Sequence, residues 1–228
     1  MLRKLLGLWL RNVHPRLTPF IATIGTLGLA ICLIILLVLS KLFNEVIERE
    51  AFAFDTSFLL WLHQFANPIL DVVMLTITRL GDPEVVVTIA IVSLGILWWQ
   101  HYRKEAKIFT FACLGAAILS TGLKLLFSKP RPQLWPRLIS ETSFSFPSGH
   151  ALGSLVFYGL LAYLLATHYP KLSKVIYTFA VGVIVAISFS RLYLGVHWPT
   201  DVIAGGCIGF LWLMLCIIML KLQNLRYF

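Results

Sequence analysis

Charge is scarce in this chain. Asp, Glu, Lys and Arg make up only 13% of its 228 residues, about half the share of an ordinary soluble domain. With 59% hydrophobic residues, that shortage excludes a water-soluble globule. Acids are scarcer than bases, ten against nineteen, and the net charge is +9. The bases are divided among short segments between apolar runs rather than gathered in one patch, which points to a lipid surface and away from nucleic acid. The four cysteines (Cys32, Cys113, Cys207, Cys216) all lie inside apolar runs and form no Cys-x-x-Cys pair, so they read as small packing residues. No HExxH, no acid-rich set and no GxxxxGK[ST] loop is present, which leaves no metal-ligand or nucleotide-binding signature. Internal repeats, low-complexity tracts and a soluble second domain are missing too. Residues 1–228 read as a single integral-membrane domain.

What the chain does have is long apolar runs. A helix crossing a bilayer needs about 20 mostly apolar residues, and such runs lie near 20–40, 84–100, 106–127, 150–168, 173–192 and 200–220. The leader "MLRKLLGLWLRNVHPR" imitates a signal peptide, but the apolar core after it is too long and ends in "VLSKLF" without a cleavage site. The stretch "DTSFLLWLHQFANPILDVVMLTITRL" carries His63, Gln64, Asn67, Pro68, Asp71 and Arg79, too many polar groups for a lipid-facing span. Two short interfacial helices after the first span are expected there. With six spans and the N-terminus inside, the inner segments hold eleven Lys/Arg (Arg3, Lys4, Arg11, Arg16, Arg103, Lys104, Lys107, Lys171, Lys174, Lys221, Arg226) and one acid, Glu105. The outer segments hold eight bases and nine acids. An inside excess of Lys/Arg sets orientation. The expectation is an all-α, six-span polytopic bundle with both termini cytoplasmic. Gly205 and Gly209, four apart in the last span, suggest close helix packing.

This orientation puts three polar stretches on the outer face. "KLLFSKPRP" closes the third span with Lys124 and Arg131. "PSGH" opens the fourth with Ser148, Gly149 and His150. "SRLYLGVHWPTD" joins the last two with Ser190, Arg191, His197 and Asp201. His14, His101 and His168 fall on the opposite side. Singly, Lys124 is a snorkelling lysine, Arg131 and Arg191 are headgroup partners, and Ser148 is a helix cap. None of these readings explains why all share one rim.

Together they suit a phosphate. Two arginines and a lysine match an oxyanion carrying about two negative charges. Ser148 and Gly149 would begin a helix whose free N–H groups and dipole favour an anion. A neutral imidazole at His197 can attack phosphorus if its other nitrogen is held, and Asp201, one helical turn on, can hold it. His150 can protonate the leaving oxygen. His150, His197 and Asp201 could in principle ligate a metal, but three cations nearby would repel one; the site reads as metal-free, with no cofactor.

The ordered pattern Lys124-x6-Arg131-Pro132, Pro147-Ser148-Gly149-His150, Ser190-Arg191-x5-His197-x3-Asp201 resembles the three motifs of the type 2 phosphatidic acid phosphatase superfamily. The resemblance covers residues 124–201 and departs at none of the motif positions. It implies an α-helical core and metal-independent hydrolysis through a phosphohistidine. By the same carry-over, His197 is the nucleophile, Asp201 its orienting partner and His150 the general acid. Lys124, Arg131, Ser148, Gly149 and Arg191 bind the phosphate, and Ser190 shapes the turn. The six-span layout is similar to that of bacterial phosphatidylglycerophosphatase B and undecaprenyl-diphosphate phosphatase relatives. The implied partners are the bilayer and a lipid phosphate or diphosphate, met at the outer face of the cytoplasmic membrane; no protein partner is implied. A lipid phosphotransferase with the same site, and a non-catalytic phospholipid-binding or transport protein, are the alternatives.

Overall fold

A computed structural model of the chain describes residues 14–47 and 53–225. Within them the secondary structure is entirely helical: α1 His14–Ile47, α2 Ala53–His63, α3 Pro68–Arg79, α4 Pro83–Trp99, α5 Arg103–Phe127, α6 Gly149–His168, a 3₁₀ turn Pro170–Leu172, α7 Ser173–Tyr193 and α8 Pro199–Leu225. Five of these stretches are long and apolar enough to cross a membrane, at Gly28–Ile47, Arg103–Phe127, Gly149–His168, Pro170–Tyr193 and Pro199–Gln223. A sixth arises if α3 and α4, bent by 43° at their junction, act as one span.

The all-helical, multi-span expectation holds, with two changes in register. The first span was expected at 20–40, but Gly25 adopts a left-handed φ of 72° inside α1 and the apolar stretch runs from Gly28 to Ile47. The span expected at 84–100 is the 17-residue α4, which reaches spanning length only together with α3. The two short helices expected after the first span are α2 and α3. Arg3, Lys4, Arg11 and Arg226, four of the bases used for orientation, lie outside the described residues.

Local chemistry sets the helix ends. Asn67 caps α3 by accepting from the Leu70 N–H at 3.0 Å, with Pro68 in the first turn, where its missing N–H costs nothing. Ser128, in the left-handed region at φ 47°, stops α5. Ser148 caps α6, and Pro199 opens α8.

Helix α6 is the central element, packed against α5, α7 and α8. Its contact with α8 depends on glycine. A Cβ at Gly205 would lie 2.6 Å from the Ser148 carbonyl oxygen, and one at Gly209 would lie 2.9 Å from that of Leu152. Both glycines are where the close-packing expectation put them. The core around α6 is apolar, with Phe109, Leu152, Val156, Phe157, Leu160 and Cys216 almost fully buried. Large apolar side chains point the other way as well: Leu37 is 72% exposed, Ile69 78% and Trp99 83%. Outward-facing residues of that size in a multi-span protein are the surface that acyl chains cover.

Connectivity positions the site. Helices α5 and α7 end, and α6 and α8 begin, at one end of the bundle. The α3–α4 junction is tied to the same end by the Tyr158 hydroxyl, which donates to the Leu80 carbonyl at 2.8 Å.

Candidate active site

The three polar stretches meet at that end. His197 follows α7 and is 1% exposed. Its Nδ1 lies 3.5 Å from Asp201 Oδ2 and 3.4 Å from Ser145 Oγ. Its Nε2 lies 3.3 Å from the Arg131 guanidinium. Since a guanidinium can only donate, the Nε2 lone pair faces Arg131 and the ring proton belongs on Nδ1. Burial pushes this imidazole down to about 3 even though Asp201 acts in the opposite direction. His197 is therefore neutral at ordinary pH.

Asp201, in the first turn of α8, is fully buried yet well supplied with donors. Its Oδ2 accepts from the Trp198 N–H at 2.9 Å and from the Ser145 hydroxyl. Its Oδ1 accepts from Lys129 Nζ at 2.9 Å. Lys129 also donates to Thr200 at 3.0 Å and lies 3.7 Å from Asp55. Asp55 in turn accepts from the Thr200 hydroxyl at 2.6 Å and backbone N–H at 3.0 Å. Burial raises the Asp55 pKa against these bonds and the Lys129 charge. Asp201 thus sits in a lysine-neutralised network reaching back to α2.

The three cations of the expected cradle all hold ligands from the loop between α5 and α6. Arg131 donates through Nε to the Ser143 carbonyl at 2.8 Å and through Nη1 to the Val196 carbonyl at 2.7 Å. Its Nη2 is 3.4 Å from Glu141 and 3.1 Å from the Ser143 hydroxyl. Lys124 Nζ donates to that same hydroxyl at 2.9 Å. Arg191, 1% exposed, donates through Nη1 to Thr78 of α3 at 2.7 Å and through Nη2 to Glu141. Burial lowers the Arg131 pKa, with Glu141 opposing. For Glu141, burial works upward, but Arg191 and Arg131 hold the carboxyl below the usual carboxylate range. The Nε of Arg191 is buried with no hydrogen-bond partner among the described residues. That orphaned donor fits an anion oxygen between Arg191 and Arg131.

Ser148 is completely buried. Its hydroxyl caps α6, accepting from the Ala151 N–H at 3.5 Å, and its own N–H donates to the Asp201 carbonyl at 3.0 Å. A Cβ on Gly149 would lie 3.0 Å from Ser120 Oγ and 3.8 Å from Lys124 Cε, so the bare glycine lets the start of α6 sit close against Ser120 of α5. His150 Nε2 lies 3.0 Å from Asp82 at the α3–α4 junction. Ser190 donates its hydroxyl to the Ile187 carbonyl at 2.6 Å, a helix-internal bond consistent with shaping the turn.

The motif residues of this constellation fall inside a region with known kin: the PAP2 superfamily model matches residues 105–225. The chain belongs to the PAP2 superfamily. Phosphatidylglycerophosphatase B of Bacillus subtilis is 36% identical over 151 residues, covering 64% of this chain and 72% of that protein. An undecaprenyl-diphosphatase of Sulfolobus acidocaldarius is 35% identical over 121 residues, half of this chain and 54% of the relative. The crystal structure of a transmembrane PAP2-type phosphatidylglycerolphosphate phosphatase from Bacillus subtilis superposes with a TM-score of 0.73 at 28% identity, covering 85% of this chain and 95% of that one. The chain is thus a multi-pass membrane PAP2 protein of the lipid phosphatase type.

Several residues of this PAP2 site carry no motif signal. Thr78, Asp82, Glu141, Ser143 and Ser145 lie between or outside the three motifs, and Lys129 is one of the unspecified positions inside the first. The only advance sign of Lys129, Glu141, Ser143 and Ser145 was their place in polar outer segments flanked by motif residues. Asp82 and Thr78 belong to a segment that read as interfacial, with nothing to pair them to His150 and Arg191.

Proposed function

We propose that this protein hydrolyses the terminal phosphate of a lipid phosphate monoester or lipid diphosphate, without a metal ion, through a phosphohistidine on His197. Phosphatidylglycerophosphate, phosphatidic acid and undecaprenyl diphosphate all present that group on an apolar tail. The observation carrying the proposal is the placement of His197, with Nδ1 toward Asp201 and Nε2 3.3 Å from Arg131, in a site where the Arg191 Nε is buried without a partner. A phosphate oxygen bound between the arginines brings phosphorus within reach of the Nε2 lone pair.

The chemistry follows from the residues. Nε2 forms the N–P bond as the P–O bond to the leaving group breaks, and the leaving oxygen takes a proton from His150. Asp201 balances the positive charge growing on the imidazole. Lys124, Arg131, Arg191 and the amino end of α6 stabilise the equatorial oxygens, where phosphoryl transfer gains most. Asp82, 3.0 Å from His150 Nε2, orients that ring for the transfer. Water then attacks phosphorus with His150 as base, the N–P bond breaks, and free phosphate and neutral His197 are regenerated. The orientation inferred from the basic segments puts this site on the outer side of the cytoplasmic membrane with both termini inside.

Phosphate release by purified protein in detergent, over a panel of these lipids with EDTA present, tests the proposal. Wild-type protein should release phosphate despite the chelator, and vanadate should inhibit. His197→Ala should lose at least about a thousandfold in turnover while remaining folded and membrane-inserted. Near wild-type turnover in that variant would refute the nucleophile assignment.

A further inference from the structure

All three cradle cations already hold ligands from one short piece of the α5–α6 loop. Glu141 bridges Arg191 and Arg131. Two residues on, the Ser143 hydroxyl accepts from Lys124 and Arg131, and the Ser143 carbonyl accepts from Arg131 Nε. The loop is anchored on its other side, where Trp135 stacks on His63 of α2 at 4.0 Å. It also lies against Gly195, where a Cβ would come within 2.6 Å of the indole.

We propose that the 141–143 stretch is an internal anion that sets the charge a substrate must bring, so that the cradle admits phosphate monoesters and diphosphates and rejects singly charged phosphodiesters. The inference rests on the phosphate-binding role proposed above. Any entering oxyanion must displace the Glu141 carboxylate from two guanidiniums in a half-buried site, where attraction is stronger than in water. A phosphodiester exchanges one negative charge for another and gains nothing by it. A terminal phosphate brings about two charges and three free oxygens. It can replace the carboxylate on Arg131 and Arg191 and still serve Lys124. It can also reach Arg191 Nε, the donor that Glu141 leaves without a partner. Once displaced, Glu141 is already near solvent, with its side chain 25% exposed, so its release needs only a loop movement.

The strap is separable from the chemistry by measuring binding. Equilibrium binding of inorganic phosphate is compared in the full-length protein and its Glu141→Gln and Glu141→Asp variants, each also made with His197→Ala. If the carboxylate holds the cradle closed nine-tenths of the time, removing its charge tightens phosphate binding about tenfold. Glu141→Asp keeps the charge and should stay within about threefold of wild type. In parallel, the ratio of kcat/KM for 4-nitrophenyl phosphate to that for bis(4-nitrophenyl) phosphate should fall in Glu141→Gln. Unchanged phosphate affinity, or lost turnover with no gain in affinity, overturns the inference; the second result would make the carboxylate catalytic. If Glu141→Gln does not fold, Ser143→Ala, which strips a ligand from Lys124 and Arg131, must tighten phosphate binding or the idea fails. Tighter binding in a protein that turns over no substrate would refute the hydrolase reading and leave the strap in place.

Discussion

Both ring nitrogens of His197 face fixed partners, and the proton count on that ring decides whether it can act. With Nε2 against Arg131 at 3.3 Å and burial pushing the imidazole down to about 3, the folded protein keeps the ring unprotonated across the range in which free histidine titrates. The unfolded chain protonates it near 6.5. Because the folded-state value is the lower one, the stability linked to this residue is complete above about 6.5 and drains away as pH falls toward 3. Wild-type protein should therefore lose thermal stability relative to His197→Gln, which has no proton to gain, by on the order of 2 kcal/mol between pH 7 and pH 5. Unfolding followed by tryptophan fluorescence over that range measures it. A constant difference between the two proteins would mean that His197 titrates normally and is not held neutral. If burial keeps the proposed nucleophile neutral, the acid limb of the rate profile belongs to another group, the substrate phosphate.

The helices supply the site through their ends, and the α6–α8 contact shows how tightly those ends are set. The Ser148 carbonyl lies where a Cβ on Gly205 would come within 2.6 Å, and the Ser148 N–H donates to the Asp201 carbonyl. The starts of α6 and α8 are thus locked to each other. Gly205→Ala and Gly209→Ala should each destabilise by about 1–3 kcal/mol through overpacking. Only Gly205→Ala pushes on the residue that opens the cradle, so it should also cut kcat, by up to about a hundredfold. Thermal unfolding and turnover on both variants separate the effects; equal loss of kcat in the two would deny that the helix start is positioned this closely. This element scale is also where legibility ran out. Apolar runs marked the helices, and motif residues marked which ends carry chemistry. The partners that complete the site lie far off in sequence: Asp82 is 68 residues from His150, Thr78 is 113 from Arg191 and Asp55 is 145 from Thr200. No local periodicity encodes such pairings. The α5–α6 loop has none at all, so Glu141 was visible only as an outer acid. In the α3–α4 pair, Asn67 caps a helix while Thr78 and Asp82 meet Arg191 and His150, roles that hydropathy does not encode.

For the molecule as a whole, the decisive asymmetry is between the two ends of the bundle. The site end gathers Asp55, Asp82, Glu141 and Asp201 beside its cations. The other end, where α5 and α7 begin and α6 and α8 finish, carries Arg103, Lys104, Lys107, Lys171, Lys174 and Lys221 with Glu105 as the acid. That is the distribution that holds an end on the cytoplasmic side, and it is the basis for placing the site outward. Leu138, in the α5–α6 loop, and Leu172, in the turn before α7, are 53% and 54% exposed and lie at opposite ends. Single cysteines at these two positions, in a protein whose Cys32, Cys113, Cys207 and Cys216 are replaced by alanine, report the orientation through a membrane-impermeant maleimide. Leu138→Cys should label in intact spheroplasts, and Leu172→Cys only after the membrane is opened. The reverse pattern would put the phosphate cradle on the cytoplasmic side, where it would meet lipids newly phosphorylated inside the cell. The geometry around His197 does not depend on which compartment it faces; the pool of lipid offered to it does.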